Sequence, residues 1–277
     1  MKLLSLNVGL FLSFISVNLG ALNTAQAFQG RENKEQVIDK VVSTYGDKKL
    51  INLKSLKVKD RYKVFSMDQG ANPEINAIST LYSTLTVDFE KGKKSVKSWN
   101  ENNNGTRLSQ ILYDGSTGWS INHLRGTHVE NVNLTGDRVG AGFLKMIDAI
   151  IAKRLHRSRG TAELVSSRTQ HGKLIYTLSF LDKNKTKQFI DVDGATGLIK
   201  RLSNNLDPNK GRGYYYSKHR SINGLMFATD MNMLIEGKPS FITTSRKVEV
   251  NEEELGDLSI PKGSKRLKGF IDSSKMQ

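Results

Sequence analysis

Residues 108–121 read LSQILYDGSTGWSI, and this stretch decides the fold class. Leu108 to Tyr113 on one side and Trp119 with Ile121 on the other flank Asp114-Gly115, a dipeptide that favours chain reversal because glycine tolerates positive φ and aspartate bonds to nearby backbone amides. Two strands joined by a tight turn are predicted here. Working upstream, Asn100 to Gly105 is a turn cluster, and Leu81, Leu85, Val87 and Phe89 alternate with polar residues before Gly92 turns the chain toward Val96 and Trp99. Further upstream, Leu56, Val58, Tyr62 and Val64 alternate with Lys57, Lys59, Arg61 and Lys63, the period-two pattern of a half-buried strand with a basic outer face. Asp60 is the single inward exception to that pattern.

Downstream of the opening stretch the period changes. Between Gly142 and Arg157 a helix is predicted, with Phe143, Ile147, Ile150, Ile151 and Leu155 on one side and Lys153, Arg154 and Arg157 at its C-terminal end, where the macrodipole favours cations. Strands then follow at Ala162–Ser167, Leu174–Leu181, Gln188–Val192, Leu198–Ser203, Gly213–His219, Leu225–Glu236 and Phe241–Val250, each bounded by Gly, Asn, Asp or Pro. Near the amino end, Val37, Ile38, Val41, Val42 and Tyr45 form a helical stripe that Gly46 ends. A long antiparallel meander with two helices reads as one α+β domain whose curved sheet wraps round the helices.

The chain has 277 residues, 37% apolar and 25% charged, with 4 Pro and no Cys, which excludes a disordered chain and a disulfide scaffold. Without cysteine there is no thiolate nucleophile, Cys-ligated zinc, iron–sulfur cluster or lipidated N-terminal Cys. A net charge of +15 creates a field that attracts polyanions. Met1-Lys2, the apolar run Leu3–Leu19 and Ala25-Gln26-Ala27 read as a signal peptide cleaved before Phe28, so the expected compartment is the periplasm. Export argues against nucleic acid and turns the basic charge toward envelope lipids, an anionic membrane surface or glycans.

The motifs that carry chemistry are missing or are turns. His123, His128, His156, His171 and His219 contain no His-x-His and no His-Glu-x-x-His spacing, so no metal site is expected. Asp191-Val192-Asp193-Gly194 opens like a calcium loop, but Leu202 stands at the twelfth position where a bidentate Glu is needed, so a hairpin turn is the better reading. Gly136 to Gly142 lacks the lysine of a phosphate loop, and Pro261 obstructs the helix that Ser259-x-x-Lys262 would need to act as a nucleophile pair. Tyr214 and Tyr216 share one face of a strand, with Tyr215 on the other; two core-facing rings are expected rather than a stacking platform. No enzymatic chemistry and no cofactor are expected.

The order of turns is itself informative: Tyr113-Asp114-Gly115 with Trp119, then a helix, then Asp191-Val192-Asp193-Gly194-Ala195-Thr196-Gly197, then Ile222-Asn223-Gly224, then Pro261-Lys262-Gly263. From Val37 to Gly263 this series resembles the periplasmic lipoprotein-carrier superfamily, the LolA/LolB-like outer membrane lipoprotein-sorting proteins. The resemblance implies an unclosed antiparallel β-barrel, a half-barrel, that wraps helices round an apolar cavity for acyl chains. Met67 to Ala77 also looks like the amino-terminal region before the catalytic domain of some exported metallo-β-lactamase-fold hydrolases, although neither that domain nor its histidine motif follows.

The expected organisation is a signal peptide over 1–27, a half-barrel over 28–263 and a basic, disordered tail over 264–277. The expected function is a periplasmic carrier or chaperone for a lipid or lipidated protein, its cavity lined by Val87, Phe89, Trp119, Ile121, Phe143 and Ile147. The alternative is a non-catalytic interaction module for an envelope enzyme or an anionic envelope glycan or lipid. A hydrolase, third, would need clustered carboxylates or histidines that the linear sequence does not foretell.

Overall fold

Two antiparallel meanders, joined edge to edge, make up the computed structural model, which describes residues 32–65, 79–102, 105–182, 185–252 and 255–271. Helix α1 (Lys34–Thr44) and the short α2 (Lys48–Ile51) come first. The first meander is β1 (Ser55–Val64), β2 (Ser79–Asp88), β3 (Lys93–Asn102), β4 (Gly105–Tyr113), β5 (Gly118–Asn122) and β6 (Thr127–Asn131). Helices α3 (Ala141–Lys145) and α4 (Asp148–Arg157) then cross over. The second meander is β7 (Glu163–Gln170), β8 (Lys173–Leu181), β9 (Lys187–Asp193), β10 (Ile199–Ser203), β11 (Arg212–Ile222), β12 (Leu225–Ile235) and β13 (Lys238–Val250), followed by β14 (Lys265–Ile271).

Antiparallel pairing of β1 with β13 fuses the meanders into one 14-stranded sheet that runs from β14 to β7 without closing. This is the unclosed antiparallel architecture expected, with the helices on the inner face. The expected signal peptide and the Met67–Ala77 segment lie outside the described residues. Lys265–Ile271, placed by the sequence in a basic tail, instead pairs in parallel with β6 and forms one edge of the sheet. The strand β6 carries few apolar residues and is not signalled by the sequence.

Local chemistry explains the elements. Helix α1 begins with a capping box, in which Asn33 and Gln36 each accept the other's backbone N–H, and buries Val37, Ile38, Val41 and Val42. At the β11–β12 reversal, Asn223 and Gly224 have φ of 53° and 80°, the two positive values that a type I′ hairpin turn requires. At the β4–β5 turn, the Asp114 carboxylate accepts from the amides of Ser116 and Thr117, each at 2.9 Å, and from the Trp119 indole N–H at 2.8 Å. Burial would raise the Asp114 pKa, but the bonds from Thr117, Trp119 and Ser116 outweigh it and hold the carboxyl at about 2.

The helix predicted over 142–157 is two helices. Ile147 is extended, with φ −117° and ψ 104°, and the break it makes is fixed by buried polar bonds. The Met146 carbonyl accepts from Arg246 Nη1 at 3.1 Å, and the Lys145 carbonyl accepts from the Tyr216 hydroxyl. Beyond the break, the fully buried Asp148 accepts from the Tyr45 hydroxyl at 2.7 Å and from the Ala228 amide at 3.0 Å. A continuous helix would turn the Lys145 and Met146 carbonyls to its own amides and leave the Tyr216 hydroxyl and an Arg246 N–H buried without acceptors, at a cost of about 1–3 kcal/mol each.

Candidate functional site

The inner face of the sheet and the helices form a core that includes Leu56, Val58, Leu85, Val87, Ile147, Ile151 and Leu155. A cleft opens into it between the two meanders. One flank is Phe89, just after β2, with Lys94 of β3; the opposite flank is Phe180 of β8 with Asp182; α3 and α4 lie between them. The cleft measures about 390 Å³, within the range of small-molecule sites.

Its lining is amphipathic. Phe89, Ala141, Leu144, Ile150 and Phe180 supply the apolar part, and Leu144, Ile150 and Phe180 are nearly inaccessible to water. Lys94, Lys145, Lys153, Arg154 and Arg157 supply cations, against the carboxylates of Asp137 and Asp182. Ile150, Lys153, Arg154 and Arg157 follow the spacing that places residues on one face of a helix, so α4 turns both its apolar and its basic residues to the same opening.

The excess of positive charge is visible in the lysines. Burial, reinforced by Arg157, lowers the Lys153 pKa to about 8. Its ammonium donates to the Leu53 carbonyl at 2.9 Å and lies 4.9 Å from the centre of the Phe89 ring. Burial likewise lowers Lys145 and Arg154 from their ordinary values; Asp182 opposes the shift at both, without reversing it. Such a site favours an anion, whose charge would relieve the repulsion among the cations.

A second opening, of about 580 Å³, adjoins the first across Ala141 and Lys145 and is lined by Gln188, Asn204, Arg212 and Tyr214. Helix α3 thus forms a wall common to both. Below it lies a buried polar network that does not line either opening. Arg246 binds Asp60 through two bonds, Nε to Oδ1 at 2.8 Å and Nη2 to Oδ2 at 2.9 Å, and the Tyr62 hydroxyl donates to the same carboxylate. His219 Nε2 lies 3.1 Å from Asp148 Oδ2. It points inward because Lys218, with φ 51°, reverses the alternation that keeps Tyr214 and Tyr216 buried. This network ties the α3–α4 break to β1, β12 and β13. Among the described residues no three His, Asp or Glu side chains converge to hold a metal ion.

The six residues expected to line a cavity are not brought together. Phe89 lines the cleft. Val87 and Ile147 are wholly inside the core, and Phe143 packs half-buried against it. Trp119 and Ile121 face the other way: cross-strand register places Trp119 in a row with Leu112, Ser95, Thr86 and Lys57, and Ile121 in a row with Gln110, Lys97, Thr84 and Lys59. Those rows form the outer face, where Ile260 covers Leu112, Trp119 and Ile121 as a small second core. The cleft cations escaped the sequence reading, although the helical spacing from Ile150 to Arg157 was the signal that could have found them.

No protein-family description matches the sequence, and no curated protein matches it. Solved structures do match. An outer membrane lipoprotein-sorting protein domain from Vibrio parahaemolyticus is 12% identical with a TM-score of 0.50, over 80% of this chain and 96% of that one. A DUF1329 family protein from Desulfovibrio piger is 10% identical with a TM-score of 0.46, over 80% and 95% of the two chains. The first likeness shows that the chain has the half-barrel fold of a lipoprotein-sorting domain.

Proposed function

We propose that this chain, with the fold of a lipoprotein-sorting domain, is a periplasmic carrier that holds an amphipathic ligand in the cleft between β2–β3 and β8 and performs no covalent chemistry on it. The observation that carries the reading is the pairing of an apolar lining with a cationic one along α4. An acyl chain would lie against Phe89, Leu144, Ile150 and Phe180, with Phe143, Val87 and Ile147 supporting that wall from the core. An anionic head group would meet Lys145, Lys153, Arg154 and Arg157. A lipid or a lipidated protein presents both parts.

Magnitudes show why the cations matter. Burying about ten methylenes is worth about 8 kcal/mol. Lost translational and rotational freedom removes at least about 4 kcal/mol of this, which leaves a Kd near millimolar. One charge-assisted hydrogen bond, at about 1.5–3 kcal/mol, brings the Kd to about 10–100 μM, and two bring it to about 10 μM or below. Selection therefore rests on the head group and affinity on both parts.

The test is native mass spectrometry of the protein isolated from the periplasm, with organic extraction of whatever is bound, followed by titration with dodecyl phosphate and with dodecyltrimethylammonium. A stoichiometric acyl ligand and at least tenfold preference for the phosphate are expected, with the preference lost in Lys145→Glu/Arg157→Glu. A protein that stays unliganded in both experiments, or that prefers the cationic amphiphile, removes the carrier reading.

A further inference from the structure

The outer face of the sheet carries an aromatic strip that the folding of the core does not require. Ser245, Arg61, Tyr82, Trp99 and Leu108 are direct cross-strand neighbours on β13, β1, β2, β3 and β4, and so form one row across five strands. The Tyr82 and Trp99 rings stack with centroids 4.3 Å apart and planes 25° from parallel, and the Arg61 guanidinium sits 5.4 Å from the centre of the Tyr82 ring. Trp99 is 40% exposed, in contrast to Trp119 on the same face, which is 9% exposed beneath Ile260. The strip floors a shallow groove of about 570 Å³ that Lys59, Lys97 and Lys247 border.

We propose that this groove is a second binding site, for an acidic polysaccharide. Three features select that occupant. The face of Trp99 turned away from Tyr82 carries partial negative charge and attracts the C–H face of a sugar, whose axial hydrogens carry partial positive charge. Thr84 and Ser245, on the same face as the rings, supply hydroxyl groups beside the aromatic strip and the cations, which matches the hydroxyls of a pyranose ring. Four cations, Lys59, Arg61, Lys97 and Lys247, border the groove; Glu249 pairs with Lys59 at 3.4 Å and Lys247 at 2.9 Å, so the balance stays positive and complements uronate carboxylates. A bilayer surface fits less well. The rings stack on one another in the middle strands of a sheet, beside Thr84 and Ser245, where insertion among acyl chains would bury those hydroxyls without partners.

The site is separate from the cleft, whose residues lie on the inner face, and stands whether or not the cleft takes a lipid. The experiment is isothermal titration of the full chain with oligogalacturonate, with neutral dextran oligosaccharide and vesicles containing anionic phospholipid as comparisons. Oligogalacturonate is expected to bind and dextran at least tenfold more weakly. Trp99→Ala should weaken oligogalacturonate about tenfold, whereas Trp99→Phe, which keeps a ring, should recover most of that loss. Arg61→Gln/Lys97→Gln should flatten the dependence on salt. Circular dichroism of each variant establishes that it is folded, and Trp99→Phe keeps the test valid if Trp99→Ala is not. No binding of oligogalacturonate, equal binding by folded Trp99→Ala, or Trp99-dependent binding of vesicles alone would overturn the proposal.

Discussion

Replacing Asp60 by Ala leaves the Arg246 guanidinium buried without its counterion. The side chains of Arg246 and Asp60 are only 1% and 4% exposed, so water cannot take the place of the lost carboxylate. Burial alone would lower the Arg246 pKa, but Asp60 raises it above the ordinary value, which marks how strongly the pair depends on the carboxylate. Removing one member of a buried ion pair costs about 3–5 kcal/mol. In a chain of this size that corresponds to a fall in Tm of roughly 6–20 °C. The double variant Asp60→Leu/Arg246→Met removes both charges and should be less destabilised than the sum of its two singles. It should not regain full stability, because the carbonyls of Met146 and Ala228 lose the donor they share at 3.1 Å and the Tyr62 hydroxyl loses its acceptor. Each of those groups left unpaired costs about 1–3 kcal/mol. Urea titration followed by circular dichroism, with calorimetry for Tm, measures all three variants including Arg246→Met. A single-variant cost below about 1 kcal/mol, or a double variant as unstable as the sum of its singles, would refute the account of a buried, coupled pair.

Four further predictions concern the site and the turns that frame it. Lys153 titrates near pH 8 in the folded chain, against an ordinary 10.5, so the folded state holds fewer protons between those values and its stability should rise with pH across that interval; Lys153→Met should remove this rise in urea titrations. An anion in the cleft should draw a proton onto the same lysine, so dodecyl phosphate binding is expected to take up protons near pH 8–9, read by calorimetry in buffers of different ionisation enthalpy, and to weaken above that range. Asp114 is depressed from 3.8 to about 2, so its contribution is complete above pH 4 and is lost as pH falls toward 2; Asp114→Asn should flatten that part of the acid-stability curve. Gly46→Ala should cost about 1–3 kcal/mol in urea, because position 46 has φ 114° and the added Cβ would stand 2.6 Å from the Gly224 carbonyl oxygen.

What was legible in the sequence was local. The β4–β5 turn at Asp114, the Asn223-Gly224 reversal, the apolar stripe of α1 and the alternation of β1 depend on residues within a few positions of one another, and each forms where the sequence indicates it. The order of those turns also carried the resemblance that led to the half-barrel. Asp60 stood out as an inward charge, but its partner Arg246 lies 186 residues away, and no spacing rule links the two.

The remainder needed the tertiary structure. Period-two alternation divides Trp119 from Ser120 but does not say which face turns inward; the register running from β5 back to β1 decides that, and it puts Trp119 and Ile121 outside. The same non-local pairing places β13 against β1 and β14 against β6. The helix over 142–157 breaks because buried carbonyls and Asp148 find donors on distant strands, a constraint no helical periodicity contains. Sequence by itself determined the alternating strands, the turns and the total of charge, because those follow from neighbouring side chains and composition, whereas β6 and β14 carry no such alternation. Only the folded chain decided which cations meet which apolar side chains, because β2–β3, α4 and β8 become neighbours only when the sheet curls round its helices.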